Sequence, residues 1–423
     1  MSLLPLIPPC AKRSFFALLV GISLFQLPPS GLAQSPVNAL QLRQSLEHLD
    51  TDEARAALHE ATQRLFGRGA LLKGPVPPRM EGTTVAWAIL SPEDARVVRA
   101  DGMVLGTMTR LGSDGLQLLA LDIPNFTNLD YRIEAGDKTV IGGSLRIEHI
   151  EYPPESLPNP EVPQGELSAF EWNSSQVFPK TERKITVYLP AGLDRSKPLP
   201  LMVWQDGSRH ADRNGQLRVP NVFDSLIHSH AMPPTVGIFI DPGRNAGQRP
   251  DGKAANRGFE YDSLGPAYVT FLETEILPEV ERRYSLKFTT HPALRAIGGG
   301  SSGGICAFTA AWERPDRFAR VLSWVGSFVD LRGGHAYPSL IRTTERKPIR
   351  IYLLDGENDL DNPFGNWPIA NKMMAAALDY MDYDFHIDWT QCFHGSKGMA
   401  PYLPAALTWL WRGWDEAAST ASR

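Results

Sequence analysis

Two adjacent serines, Ser301 and Ser302, stand among five glycines in the stretch RAIGGGSSGGICAF, residues 295–308 of a 423-residue chain. A short apolar run, 293–297, leads into the glycines, and Ile305, Ala307, Phe308, Ala310, Ala311 and Trp312 follow at helical spacing. The spacing predicts a strand, a tight turn and a helix. A serine on such a turn is held at the end of a buried strand with its oxygen exposed, where only residues as small as glycine fit beside it. The chemistry this offers is nucleophilic attack by a hydroxyl.

The pattern G-x-S-x-G fits in two registers, one centred on Ser301 and one on Ser302. We take Ser301, because it leaves Gly303 and Gly304 where the new helix must pass closest to the strand. A phosphate-binding turn is the alternative use of such glycines. The stretch lacks the lysine of a P-loop and the spacing of a dinucleotide fingerprint.

A serine hydroxyl is a weak nucleophile, so it needs a base to take its proton and a third group to orient that base. On a strand–turn–helix of this kind the chain order is nucleophile, acid, histidine. Of ten histidines, that order leaves His335, His386 and His394. His386 lies within an alternating strand and reads as a residue of the sheet surface, while His335 begins a helical insertion. His394 directly follows the last strand, in CFHGS, and is the expected base.

The acid is expected just past the strand 349–354, in DGENDLD. Asp359 is the first choice, with Glu357 and Asp361 as alternatives; a calcium loop is the competing use, but the run fails the EF-hand pattern. Backbone N–H groups for an oxyanion hole are expected from Ser302 and from the loop QDGS after the strand 201–204, at Gly207 or Ser208. The polar loop 241–262 carries Arg244, Arg249, Lys253, Arg257 and Glu260; Arg257, Glu260 and Tyr261 are the candidates to touch substrate.

The elements that must position these groups lie beyond residue 165. Apolar strands at 184–189, 201–204, 236–240, 294–297, 321–325, 349–354 and 385–390 alternate with helical stretches at 221–230, 265–284, 302–314, 367–380 and 402–411. That alternation predicts an α/β class with a mostly parallel sheet covered on both faces, whose reactive groups gather at the strands' carboxyl ends.

Upstream, residues 1–33 have the form of a signal peptide: Lys12 and Arg13, an apolar run to Leu27, then a small-residue site ending at Ala33. The run is shorter than the ~20 residues a spanning helix needs, so export to the periplasm or medium is expected, with no stable membrane insertion after cleavage. Residues 34–75 read as a helical lead-in, started by Asp50-Thr51-Asp52-Glu53 and stopped by Gly67 and Gly69. Residues 76–150 are short strands divided by turn residues, a small β-sandwich in which Trp87 and Tyr131 read as core more than as carbohydrate-stacking rings. Five prolines between 153 and 163 make 151–164 a stiff linker; the catalytic unit then spans 165–415 and a tail 416–423.

Hydrophobic content of 43% is enough for more than one core, and a net charge of -5 leaves no footprint for nucleic acid. Cys306 and Cys392 fall near the proposed site and are expected as two separately buried thiols rather than a pair. No metal or cofactor is expected, and the oligomeric state is open.

Residues 165–415 resemble the enterochelin-esterase-like branch of the α/β-hydrolases, a relative of the feruloyl-esterase and mycolyltransferase groups. The matching pieces are VYLPAGL (187–193), LPLMVWQDG (199–207), NRGFEYDSLG (256–265), GGGSSGGICAFTAAWERPDRFARVLSWVGSF (298–328), LLDGENDLDNPFGNW (353–367), and HGSKG with LPAALTWLWR (394–412). The resemblance implies an α/β-hydrolase fold, Ser301 as nucleophile, His394 as base and Asp359 as acid, with a small-molecule ester as partner. The strand-rich segment likewise resembles the immunoglobulin-like domain that precedes the hydrolase in cytoplasmic siderophore esterases. A siderophore, feruloyl or carbohydrate ester is the expected substrate class, and acyl transfer the related activity. The non-enzyme alternative is a glycan- or siderophore-binding protein with an idle hydrolase domain.

Overall fold

A computed structural model describes residues 36–245 and 256–421. The expected signal peptide, Arg249 and Lys253 lie outside the described residues. Among those described, no helix is long and apolar enough to cross a membrane.

The lead-in is two helices and a third short one rather than one run. Asn38 and Gln41 close a reciprocal cap on the helix Ala39–Leu46, and Thr51 caps Asp52–Phe66 by accepting from the Ala54 N–H. Gly67 ends this second helix at φ 83°, but Gly69 lies inside a further helix, Arg68–Lys73, which stops at Gly74.

Eight strands follow: β1 (Arg79–Glu81), β2 (Thr84–Leu90), β3 (Ala95–Arg99), β4 (Val104–Thr107), β5 (Thr109–Arg110), β6 (Leu116–Asp122), β7 (Thr127–Ala135) and β8 (Lys138–Ile147). They form two antiparallel sheets, ordered β1-β2-β6-β5 and β4-β3-β7-β8. The continuous apolar run of β2 has a physical reason. Val85, Trp87 and Ile89 face the second sheet, where Trp87 meets Tyr131 edge-on at 5.7 Å, while Ala86 and Ala88 face Leu42, Leu58 and Phe66 of the lead-in helices. Both faces of the strand are buried, so alternation is lost. β1 and β4 were not expected because they are short, exposed edge strands, and β8 starts earlier than expected because Gly142 and Gly143 interrupt its pattern.

The larger sheet is built from β9 (Glu166–Trp172), β10 (Thr181–Leu189), β11 (Leu201–Gln205), β12 (Val236–Ile240), β13 (Arg244–Asn245), β14 (Arg295–Gly300), β15 (Arg320–Trp324), β16 (Arg350–Asn358) and β19 (Asp384–Phe393). A two-stranded hairpin, β17 (Asp361–Asn362) and β18 (Gly365–Asn366), stands apart. The order is β13-β10-β12-β11-β14-β15-β16-β19, with β9 also on β10. From β12 to β19 every pairing is parallel. β10 runs antiparallel to β9, β12 and β13, so the sheet is mixed, with one antiparallel edge.

Successive side chains of these strands feed two cores. Val203, Ile238, Ile297, Val321 and Ile351 pack under the helices Ser302–Glu313 and Trp367–Tyr380. Trp204, Phe239, Leu322, Trp324 and Leu354 pack under Val219–His228 and Leu403–Trp411. The helix expected at 265–284 is broken into Ala267–Phe271, a wide turn Leu272–Ile276, and Leu277–Tyr284. Pro278, which has no N–H to give, stands at the start of the last piece. The chain goes from β11 to β12 on one side and returns to β14 on the other. That reversal opens a crevice at the carboxyl ends of β11 and β14.

The proline-rich segment is tied down. Ser156 is buried and its carbonyl accepts from Asn221, Ser225 donates to the Glu155 carbonyl, and Arg218 lies 3.6 Å over the Tyr152 ring.

Candidate active site

β14 runs further than expected, to Gly300, and Ser301 takes φ 59°, ψ -126°, a sharp turn that costs strain in a residue with a side chain. The surrounding glycines are required sterically. A Cβ on Gly299 would lie 2.6 Å from the Gly303 backbone, and one on Gly304 would lie 2.5 Å from the Ser323 hydroxyl. The turn is pinned by Ser301 donating its N–H to the Trp324 carbonyl at 3.0 Å, while its own carbonyl accepts from Gly304, Ile305 and Ser327.

The last two parallel strands bring His394 and Asp359 to this serine. His394 Nε2 stands 2.8 Å from Ser301 Oγ, and its Nδ1 stands 2.6 Å from Asp359 Oδ1. With the proton on Nδ1, the imidazole donates to Asp359 and leaves Nε2 free to accept from the serine hydroxyl. Asp359 is fully buried, its Oδ1 also accepts the Leu360 N–H at 2.6 Å, and the Trp367 ring sits edge-on to His394 at 5.7 Å. Ser302 is buried one residue on, and it is Ser301, not Ser302, whose hydroxyl meets His394.

Asp359 was expected in the loop past the strand 349–354. It is one residue past the end of β16, because β16 and β19 stay paired to the level of Asn358 and Phe393. The alternative acids are elsewhere. Glu357 is ion-paired with Lys372 at 3.0 Å and accepts from Trp389 at 2.5 Å, and Asp361 is exposed in the small hairpin. His386 bonds Asp388 within β19, and His335 pairs with Asp330 at the surface.

Of the oxyanion candidates, Ser302 and Gly207 each open a helix, Ser302–Glu313 and Gly207–His210, where N–H groups have no partner within the helix. Ser208 does not fit. Its N–H donates to Asp241 at 2.6 Å, and its hydroxyl holds the other oxygen of the same carboxylate at 2.6 Å. Gly207 is forced to be glycine, since a Cβ there would lie 2.2 Å from the Phe239 carbonyl carbon.

Two of the three candidate substrate contacts are structural. Glu260 is buried against Arg183 at 2.5 and 2.8 Å and also accepts from Asn256 and Gly243. Tyr261 is buried with its hydroxyl on the Ile240 carbonyl at 3.2 Å. Both lost their place as surface contacts to partners far away in sequence. Arg257 remains partly exposed, but its guanidinium grips Asp206 through two 2.8 Å bonds. Burial pushes the Asp206 carboxyl up, and Arg257 more than offsets this, holding it below the usual carboxylate range. Asp262, nearby, is pushed up to about 6 by burial despite the Ser302 hydroxyl and Arg257. Cys306 and Cys392 are both free and buried.

One residue was missed. Asp355 sits in the apolar part of β16 with no exposed surface, and burial followed by the adjoining Asp359 pushes its carboxyl up to about 9. Its signal in the sequence is a carboxylate that closes an otherwise apolar strand.

A partly antiparallel, mainly parallel sheet with a serine–histidine–aspartate chain at its strand ends is a mixed α/β fold of the α/β-hydrolase type. Residues 175–333 match the family described as "Putative esterase". The iron(III) enterobactin esterase of Dickeya dadantii is 28% identical over 226 residues, half of this chain and 48% of that protein. The enzyme of the same description from Escherichia coli O6:H1 is 27% identical over 177 residues, 42% of this chain and 40% of that protein. The chain thus spans less than half the length of these relatives in alignment. The enterobactin esterase of Shigella flexneri, solved in the presence of enterobactin, shares the fold with a TM-score of 0.54 at 17% identity, over 83% of this chain and all of that one. The chain resembles the enterochelin-esterase-like branch of the α/β-hydrolase superfamily.

Proposed function

We propose that the chain is a serine ester hydrolase that works through an acyl-enzyme on Ser301 and acts on siderophore esters of the enterobactin kind. The observation that carries this reading is His394 standing within hydrogen-bond reach of both Ser301 and Asp359, at 2.8 and 2.6 Å. The substrate class comes from the relatives, whose names give iron(III) enterobactin as what they cleave.

In this reading His394 takes the Ser301 proton as Oγ attacks the ester carbonyl. The Ser302 and Gly207 N–H groups receive the oxyanion, and His394 then returns the proton to the leaving alcohol. Water, activated by the same imidazole, releases the acid. Asp359 keeps the Nδ1 proton in place and stabilises the imidazolium. The division into a lead-in, an immunoglobulin-like sandwich, a proline-rich connection and a catalytic unit, and export through residues 1–33, belong to the same proposal.

The test is burst-phase hydrolysis of p-nitrophenyl butyrate, followed by cleavage of enterobactin with and without iron. Ser301→Ala is expected to lose the burst and on the order of 10⁶-fold in kcat, whereas Ser302→Ala keeps a burst. Full activity in Ser301→Ala would overturn the assignment of the nucleophile. Rapid turnover of butyrate with none of enterobactin would leave the esterase and remove the siderophore.

A further inference from the structure

The strand end that delivers Asp359 holds a second carboxyl behind it. Asp355 Oδ1 accepts the Gly356 N–H at 2.8 Å, but its Oδ2 is buried without a donor. Asp359 Oδ1 takes the His394 and Leu360 protons, each at 2.6 Å, and its Oδ2 is likewise buried without a donor. The two side chains are within hydrogen-bonding contact of each other. Neither has a lysine or arginine ion pair among the described residues; Asp359 has only His394.

Two carboxylates in contact in a low-dielectric site cannot both ionise, and a single proton between them gives each orphan oxygen a partner. The surroundings decide which side chain keeps it. Asp359 Oδ1 accepts from two N–H donors, one of them the imidazole. Asp355 has one backbone donor, and the Asn371 amide beside it already donates to the Gly326 and Trp367 carbonyls. The other titratable group packed here, the Cys392 thiol of β19, is itself pushed up to about 12 by burial and by these acids, and stays neutral.

We infer that Asp355 is held as a neutral carboxylic acid whose O–H donates to Asp359, making it a positioning residue that extends the hydrogen-bonded line from Ser301 through His394 and Asp359 into β16. Resting on the proposed function, this fixes the rotamer of Asp359 so that Oδ1 faces His394, and it keeps the pair at one negative charge. Ionisation of Asp355, at about 9, puts a second charge behind the acid and breaks that line.

The experiment uses the full chain with Asp355→Ala, Asp355→Asn and, as reference, Asp359→Asn. Asp355→Ala is expected to lower kcat for p-nitrophenyl butyrate about 10²-fold with KM little changed, as for a catalytic group displaced by about 1 Å. Asp355→Asn recovers most of that loss, because its amide N–H replaces the O–H, and it lacks the fall in kcat above about pH 9 that the natural chain shows. Infrared spectroscopy at pH 8, where Asp262 is ionised, reads the proton without turnover: the natural chain shows the carbonyl stretch of a protonated carboxyl and Asp355→Asn lacks it. Absence of that band in the natural chain, or Asp355→Asn as inactive as Asp359→Asn, would overturn the inference. If Ser301→Ala proved fully active, the functional reading would fail while the band still judged the proton on Asp355.

Discussion

Asp355 lies buried four residues before Asp359 with its carboxyl pushed up by that burial and by its neighbour, and stability should register this independently of any substrate. The folded pKa of Asp355, about 9, stands above the ordinary 3.8 of the unfolded chain. Between those limits the native state holds a proton that the unfolded state has released, so this group's contribution is fully present below about pH 4 and is lost as pH rises towards 9, by up to about 1.4 kcal/mol per pH unit. Asp355→Asn removes the dependence. Its Tm should exceed that of the natural chain by a margin that widens from pH 5 to pH 8, on the order of 2 °C per unit in a thermal melt; a constant margin would place the proton elsewhere. Ser301, His394 and Asp359 are the residues that type and chain order already single out, because nucleophile, acid and base must follow a turn or a strand end. The role of Glu260 was not legible, and that of Asp355 was marked only by a carboxylate closing an apolar strand, since surroundings beyond the local sequence decide both. For Glu260 the deciding neighbour, Arg183, is 77 positions away, and for Asp355 it is the burial of the strand.

The strand–turn–helix after β11 is the element on which the proposed oxyanion hole depends. Asp206 occupies a left-handed conformation at φ 54°, and its carboxylate is clamped by Arg257, while its N–H is taken by Tyr261 at 3.2 Å. The clamp fixes the direction in which the following Gly207 presents its N–H. Arg257→Ala is therefore expected to lower kcat about 10²-fold, the scale of losing one oxyanion donor, with KM changed only a few-fold. Arg257→Lys should recover little, because an ammonium cannot reproduce two parallel bonds. A rise in KM at unchanged kcat would instead return Arg257 to direct substrate binding. Elements were readable where periodicity is strong: Val236–Ile240 and Trp367–Tyr380 were expected with these bounds. They were misjudged where one residue outweighs the pattern. Pro278 breaks a helix, glycines continue β14, and the exposed edge strand β9 carries no alternation to detect.

At the scale of the molecule, the two-sheet unit reaches the loops that carry Asp359 and His394. Asn358, beside Asp359, donates to the Phe126 carbonyl at 3.0 Å, a contact spanning 232 positions that local pattern cannot reveal. Phe393, beside His394, meets the Phe126 ring edge-on at 6.0 Å and lies under the Arg146 guanidinium at 4.0 Å, and Lys397 pairs with Glu148 at 3.4 Å. The turn before β7 and the end of β8 therefore touch both loops at once, and the prediction is that the two-sheet unit braces the His394–Asp359 half of the proposed site. Phe126 has φ 56°, so Phe126→Gly deletes the ring without adding backbone strain. Combined with Arg146→Ala, it should cost about tenfold in kcat through misplacement of His394, with KM for p-nitrophenyl butyrate and Tm little affected. Measured beside Leu72→Ala, an exposed position on the lead-in helices, the pair of substitutions isolates the brace. Equal kcat in both would mean that the sandwich only adjoins the site, whereas a selective fall would mean that the catalytic geometry is set jointly by the two units.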